Sequence, residues 1–147
     1  MIPSDPIKAL SLGELDRCLA WLEEQRTDEG NYIRDYLIFL LFCDAGLRVA
    51  ELCSLRLATL HFNSIAVRHL DLPAAICKNN RPRTVPLTKR AIGCLSVYLR
   101  ENKARMLKDG EWAFPSPQRA IDHITPRAIQ YMISNVGAQA LERNLHP

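Results

Sequence analysis

Ala45-Gly46-Leu47-Arg48-Val49-Ala50-Glu51-Leu52-Cys53-Ser54-Leu55 is the stretch on which the rest of the chain turns. Gly46 can end one helix in a left-handed turn at low steric cost. Arg48 then stands where a new helix begins and backbone N–H groups point outward. Arg48 and Glu51 are three apart, so they share a helix face. A guanidinium steadied by a nearby carboxylate at a helix N-terminus is suited to gripping a phosphate. Taken alone, the pair reads first as an ordinary surface Arg–Glu contact.

Upstream, Ser11-Leu12-Gly13-Glu14 has the form of a capping box. Leu12, Leu15, Leu19 and Leu22 follow at helical spacing and predict a first helix to about Arg26. Asp28 and Gly30 break it within Thr27 to Asn31. A second helix is expected from about Tyr32 to Ala45, apolar on nearly every side from Tyr36 to Cys43, hence central in the core. A short third helix spans about Arg48 to Leu55.

Downstream the pattern changes. His61 to Leu72 alternates loosely, and Ala75-Ile76 and Thr84-Val85-Pro86-Leu87 bracket the polar segment Lys78-Asn79-Asn80-Arg81-Pro82. That predicts two short antiparallel strands joined by a basic turn, with Pro82 and Pro86 confining the second to an edge. A helix is expected after Thr88, carrying Ile92, Leu95, Leu99 and Met106 on one face. Trp112 to Pro117 reads as a connector. Thr125-Pro126 opens a last helix with the stripe Ile129, Met132, Ile133, Val136 and Ala140. The fold class is therefore α+β, mostly α, in one domain spanning residues 1–147.

Composition narrows the function. With 48% apolar and 24% charged residues the chain is globular, and its eight-residue apolar run falls short of a membrane span. Five cysteines (Cys18, Cys43, Cys53, Cys77, Cys94) form no CxxC pair, which argues for reduced thiols in a cytosol. No Asp, Glu or His cluster has metal-ligand spacing. The net charge is +3, but Met1 to Asp35 holds eight acids against four bases. Lys78 to Lys108 holds nine bases against Glu101 alone. A basic middle suits a phosphate-facing surface, or simply a solvated helix face.

The opening stretch resembles the first signature box of the tyrosine recombinase (phage integrase) family, T-G-L-R-x-x-E-L-x-x-L. Gly46, Leu47, Arg48, Glu51, Leu52 and Leu55 are kept, with Ala45 for the threonine. Cys77 to Leu87 resembles the family's β-hairpin, G-K-G-x-K-x-R-x-V-P-L. There Cys77 and Asn79 replace both glycines, and Arg81 stands at the second lysine. The resemblance implies phosphotyrosine strand exchange on double-stranded DNA, without metal or cofactor. It makes Arg48 the first of two arginines that stabilise the transition state, and Lys78 the general acid for the leaving 5′-oxygen. Glu51 would orient Arg48 or its neighbours, and Arg81, Arg83, Lys89 and Arg90 would contact DNA.

The family's H-x-x-R box and its nucleophilic tyrosine are not among these 147 residues. His146 lies two places too early for the box histidine, and Tyr131 reads as packing or surface. The expectation is thus the front part of a recombinase catalytic domain, cytoplasmic, with a non-catalytic DNA-binding or regulatory remnant as the alternative. Met132, Ile133 and Val136 would form an exposed apolar patch and a two-fold dimer, unless the tail from Gln139 to Pro147 folds back over them. Cys77, in an exposed hairpin, would be the thiol to test for reactivity.

Overall fold

The computed structural model describes residues 10–25 and 32–142. The break at Thr27 to Asn31, Arg26 and His146 lie outside the described residues, as does most of the tail after Gln139.

Helix α1 (Leu12–Glu24) starts where the capping box places it. The Glu14 N–H donates to Ser11 Oγ at 3.1 Å, and the Ser11 N–H donates to Glu14 Oε1 at 3.1 Å. Leu15, Cys18, Leu19 and Leu22 are buried, while Leu12 is 75% exposed because its first-turn position faces away from the core. Helix α2 (Tyr32–Cys43) is the centre of the molecule: Leu37 through Leu41 have no solvent exposure. Gly46 adopts φ +76°, and the Leu47 N–H donates to the Leu41 carbonyl at 3.0 Å, which turns the chain into α3 (Val49–Ser54).

Two small hairpins follow. Strand β1 (His61–Phe62) pairs antiparallel with β2 (Ile65–Ala66) across Asn63-Ser64, whose φ values of 50° and 68° are both positive. Two positive φ angles in a two-residue loop are the type I′ pattern, whose twist matches that of the strands. Strand β3 (His69–Leu72) pairs with β4 (Arg83–Pro86), Leu70 opposite Val85 and Leu72 opposite Arg83. The first strand of this hairpin was expected at Ala75-Ile76 and lies instead at His69–Leu72. The reason is burial: Leu70 and Leu72 turn inward while His69 and Asp71 face out, a clean period of two. Ala74–Ile76 forms a single 3₁₀ turn in the connection, and the Asn80 N–H closes a tight turn on the Cys77 carbonyl at 3.2 Å, with positive φ at Asn79 and Asn80.

Helix α4 (Lys89–Glu101) is capped by Thr88, whose Oγ1 accepts from the Ala91 N–H at 3.2 Å. It buries Leu95 and Leu99 but ends before Met106, which sits in a separate 3₁₀ turn at Arg105–Leu107. The Trp112 to Pro117 segment is more than a connector. The Ala113 N–H donates to the Leu55 carbonyl at 2.8 Å, Tyr98 Oη donates to the Ala113 carbonyl at 2.6 Å, and Phe114 is fully buried. Helix α5 (Pro126–Leu141) opens on Thr125 with proline in its first turn.

The structure overturns one expectation here. Ile133 is fully buried, Val136 is 1% exposed and Met132 is half-buried, because α5 lies against α1 and also touches α2 and α3. Among the described residues this stripe is covered, and the two-fold dimer argued from its exposure loses its basis. Among the described residues no helix is long and apolar enough to cross a membrane.

Candidate functional site

Arg48 is the residue before the first turn of α3, with extended backbone (φ −76°, ψ 153°), and its side chain is 52% exposed. Glu51, three residues on, is 1% exposed, the one charged side chain buried among the described residues. Such a group must be paired and hydrogen-bonded to be tolerated. Its Oε1 accepts from the Arg48 backbone N–H at 2.8 Å and from Arg83 Nη2 at 2.6 Å, and its Oε2 accepts from Arg83 Nε at 3.1 Å. Arg48 Nη1 stands 3.7 Å from Oε2, an ion pair looser than a hydrogen bond. Arg83 Nη2 also donates to the Gly46 carbonyl at 3.2 Å.

Glu51 therefore serves two elements at once. Through the Arg48 N–H it fixes the start of α3, and through the Arg83 fork it fixes the start of β4. Burial pushes its pKa up, but the Arg83 hydrogen bonds, the Arg48 N–H and the two positive charges outweigh that. The net effect holds it below the ordinary carboxylate range. The same hydrogen bonds raise the pKa of Arg83. The Arg48 guanidinium is left facing solvent while its backbone is pinned.

Lys78 stands in the tight turn between Cys77 and Asn80 and is exposed. Asn79, at the place of a glycine in the resembled hairpin pattern, has φ 61°. That left-handed conformation is the one asparagine accepts more readily than other side-chain residues. The connection carrying Lys78 leaves β3 and re-enters at Arg83, opposite Leu72, so its far end is anchored by the Glu51–Arg83 pair. The Ala74–Ile76 turn packs against α3. Thus the two signature stretches, far apart in sequence, are joined through one buried carboxylate.

The other expected residues divide. Arg81 and Lys89 are exposed. Arg83 and Arg90, grouped from sequence with the DNA contacts, are half-buried and engaged by carboxylates: Arg83 by Glu51, Arg90 by Asp16 at 3.1 Å and Asp44 at 3.3 Å. Each guanidinium therefore braces the fold through a carboxylate beside it. The expectation for Cys77 is revised. It is 7% exposed with Sγ 3.8 Å from the Leu72 carbonyl, and burial followed by the Glu51 carboxylate pushes the thiol up, away from reactivity. Tyr131 is 73% exposed on α5.

The sequence reading missed Asp44, which accepts from Thr88 Oγ1 as well as from Arg90 and so ties the end of α2 to the start of α4. A carboxylate directly after the apolar run Tyr36–Cys43 and two residues before Gly46 was the available signal. It also missed Arg56, whose guanidinium stacks 3.4 Å from the Trp112 ring centre and donates to the Gly110 carbonyl at 2.8 Å.

With the geometry in place, comparison with known proteins is informative. Residues 9–147 match the model of the phage integrase family. A tyrosine recombinase XerC of Shewanella sp. (strain ANA-3) is 33% identical over 123 residues, covering 81% of this chain and 38% of that protein. A tyrosine recombinase XerC of Pseudomonas aeruginosa (strain PAO1) is 30% identical over 145 residues, covering 99% of this chain and 45% of that protein. The chain spans less than half the length of these relatives. Its fold is similar to that in the crystal structure of XerA recombinase, with TM-score 0.72 at 22% identity, over 94% of this chain and 45% of that one.

Proposed function

Because the chain belongs to the phage integrase family, we propose that it is the part of a site-specific recombinase catalytic domain that engages the DNA phosphate to be broken and rejoined. Arg48 meets the non-bridging oxygens of the scissile phosphate, where negative charge gathers as the phosphoryl group transfers. A cation already in place stabilises that state more than the ground state. Lys78 gives a proton to the 5′-oxygen as its bond to phosphorus breaks, while a tyrosine oxygen supplied outside these residues forms the new bond. Arg81 and Lys89 add phosphate contacts to either side. Double-stranded DNA is the substrate this chemistry implies.

One observation carries the reading. Glu51 pins the Arg48 backbone with one oxygen and grips Arg83 with both, leaving the Arg48 side chain out in solvent. A pair that served only to stabilise the surface would not leave the first arginine exposed and bury the carboxylate behind it.

The test is duplex binding by fluorescence anisotropy across a salt series. The logarithm of affinity is expected to fall with the logarithm of salt by about 0.9 for each phosphate neutralised. Arg48→Ala and Lys78→Ala should each reduce the slope by about one contact, with melting temperatures unchanged. Binding that ignores salt, or no binding at low salt, would overturn the reading. The 147-residue chain alone is expected to trap no DNA covalently on a nicked substrate, and an adduct at Tyr131 would overturn the surface role given to that residue.

A further inference from the structure

Cys77 stands directly before Lys78, where the resembled hairpin pattern has glycine. A glycine there would have no side chain to be held. Cys77 instead engages every polar group it carries. Its N–H donates to the Ala74 carbonyl at 3.1 Å, and its carbonyl accepts from the Asn80 N–H at 3.2 Å. Its buried thiol donates to the Leu72 carbonyl at 3.8 Å. Leu72 ends β3 and lies opposite Arg83, the first residue of β4. The thiol thus reaches back over five residues to the place where the two strands meet. There it also interacts with the Glu51 carboxylate.

The segment between these two residues is exposed from Lys78 to Pro82 and tied at both ends. Cys77 holds one end. Arg83 holds the other through its fork to Glu51 and its bond to the Gly46 carbonyl. Between the ties the backbone has little freedom. Asn79 and Asn80 both lie in the left-handed region, at φ 61° and 51°, and the ring of Pro82 fixes its own φ. A thiol is a weak donor, so its hydrogen bond alone holds little. Its burial adds the larger restraint, because the backbone at Cys77 cannot turn over without bringing the side chain out into water. Glycine carries no such restraint. Any slack at Cys77 passes to Lys78 across a single peptide bond.

We propose that Cys77 is a positioning residue for Lys78, a role that rests on the phosphate contact proposed for that lysine. Anchored at the base of β3 and β4 beside the Glu51–Arg83 pair, it holds the Lys78 turn in one place relative to Arg48. An ammonium can hand its proton to the leaving oxygen only from within hydrogen-bond reach. A turn set before DNA arrives also avoids the ordering cost that a loose one meets on binding. If Cys77 served packing alone, its replacement would lower stability and leave the contribution of Lys78 unchanged.

The experiment compares Cys77→Ser, which keeps a donor, Cys77→Ala, which deletes the sulfur, and Cys77→Gly, which also frees the backbone. Each is made in the 147-residue chain with and without Lys78→Ala, and melting temperatures record the packing loss separately. The fold loss in duplex affinity caused by Lys78→Ala should be the same in Cys77→Ser as in the wild type. In Cys77→Ala and Cys77→Gly it should shrink by at least about threefold. Amide hydrogen exchange without DNA gives the second readout. The Asn80 amide should exchange at least about tenfold faster in Cys77→Ala and Cys77→Gly. The Leu52 amide, bonded to the Arg48 carbonyl in α3, should not change. An Asn80 amide unaffected by Cys77→Ala, or a Lys78 worth as much in Cys77→Ala as in the wild type, would overturn the proposal and leave the proposed function standing. A wild-type chain indifferent to Lys78→Ala would overturn the role proposed for that lysine and the positioning role with it.

Discussion

Glu51 shows how one buried side chain can join two elements. Removing a partner from a buried ion pair costs up to about 3–5 kcal/mol. Arg83 is a third exposed and can turn to water, so Glu51→Ala should cost about 2–3 kcal/mol. Arg83→Lys is expected to destabilise by about 1–2 kcal/mol despite keeping the charge, because an ammonium cannot reproduce the two-oxygen fork or the added bond to Gly46. Urea unfolding measures both. The pH dependence has a definite sign. A carboxyl held below its ordinary value contributes stability that is fully present above about pH 4.3 and is lost as pH falls through the lowered folded value. The stability gap between the wild type and Glu51→Gln should therefore be widest at neutral pH and close under acid. A gap that stays constant down to pH 3 would show that the carboxylate charge is not what matters.

At Asn79 the same scale gives an opposite expectation. With φ 61°, Asn79→Gly should be neutral to mildly stabilising, whereas Asn79→Val should cost about 1–2 kcal/mol, since a β-branched side chain is strained there. Gly46 at φ +76° belongs to the same class: an added Cβ would meet no atom within 4 Å, so Gly46→Ala should pay only the backbone strain. Thermal melts of these variants separate conformational strain from packing.

Among the elements, the helices announced themselves and the first strands did not. Ser11, Thr88 and Thr125 each accept the backbone N–H three residues on, as sequence signals of that kind demand. A short strand carries no equivalent punctuation. β1 and β2 have two residues each, too few for an alternation to stand out, and their turn uses Asn63-Ser64 instead of the commoner Asn-Gly. Because Ser64 holds φ 68° without a glycine's freedom, Ser64→Gly should raise stability by about 0.5–1 kcal/mol in denaturant unfolding. Ala75-Ile76 misled for a related reason. Two apolar residues before a basic segment look like a strand end, but Pro73 and the inward pair Leu70 and Leu72 put the ladder earlier.

For the whole molecule, α1 and α5 close the core around α2, and α5 is held by Ile129, Ile133 and Val136. Ile133→Ala should cost about 2–4 kcal/mol by leaving a cavity. Ile133→Asp should unfold the chain or drive it into aggregates, not merely dissolve a dimer. Sedimentation at micromolar concentration is expected to give no α5-mediated dimer, and a well-folded Ile133→Asp protein with an altered mass would contradict this packing.

The sequence by itself determined the helical framework and the family pattern. Capping residues and 3.6-residue periodicity are local, so they can be read without neighbours, and the Gly46–Leu55 and Cys77–Leu87 patterns single out Arg48 and Lys78 as the cations proposed to meet the phosphate. The tertiary structure alone decided partnership. Which cation Glu51 holds most closely, why carboxylates brace Arg83 and Arg90 while Arg48 keeps only a looser ion pair and stays half exposed, and why α5 hides its apolar stripe against α1 all depend on residues brought together from far apart in the chain. A charge in a sequence has no partner until folding supplies one, and the free energy of each of these cations is set by whether a carboxylate or water lies beside it.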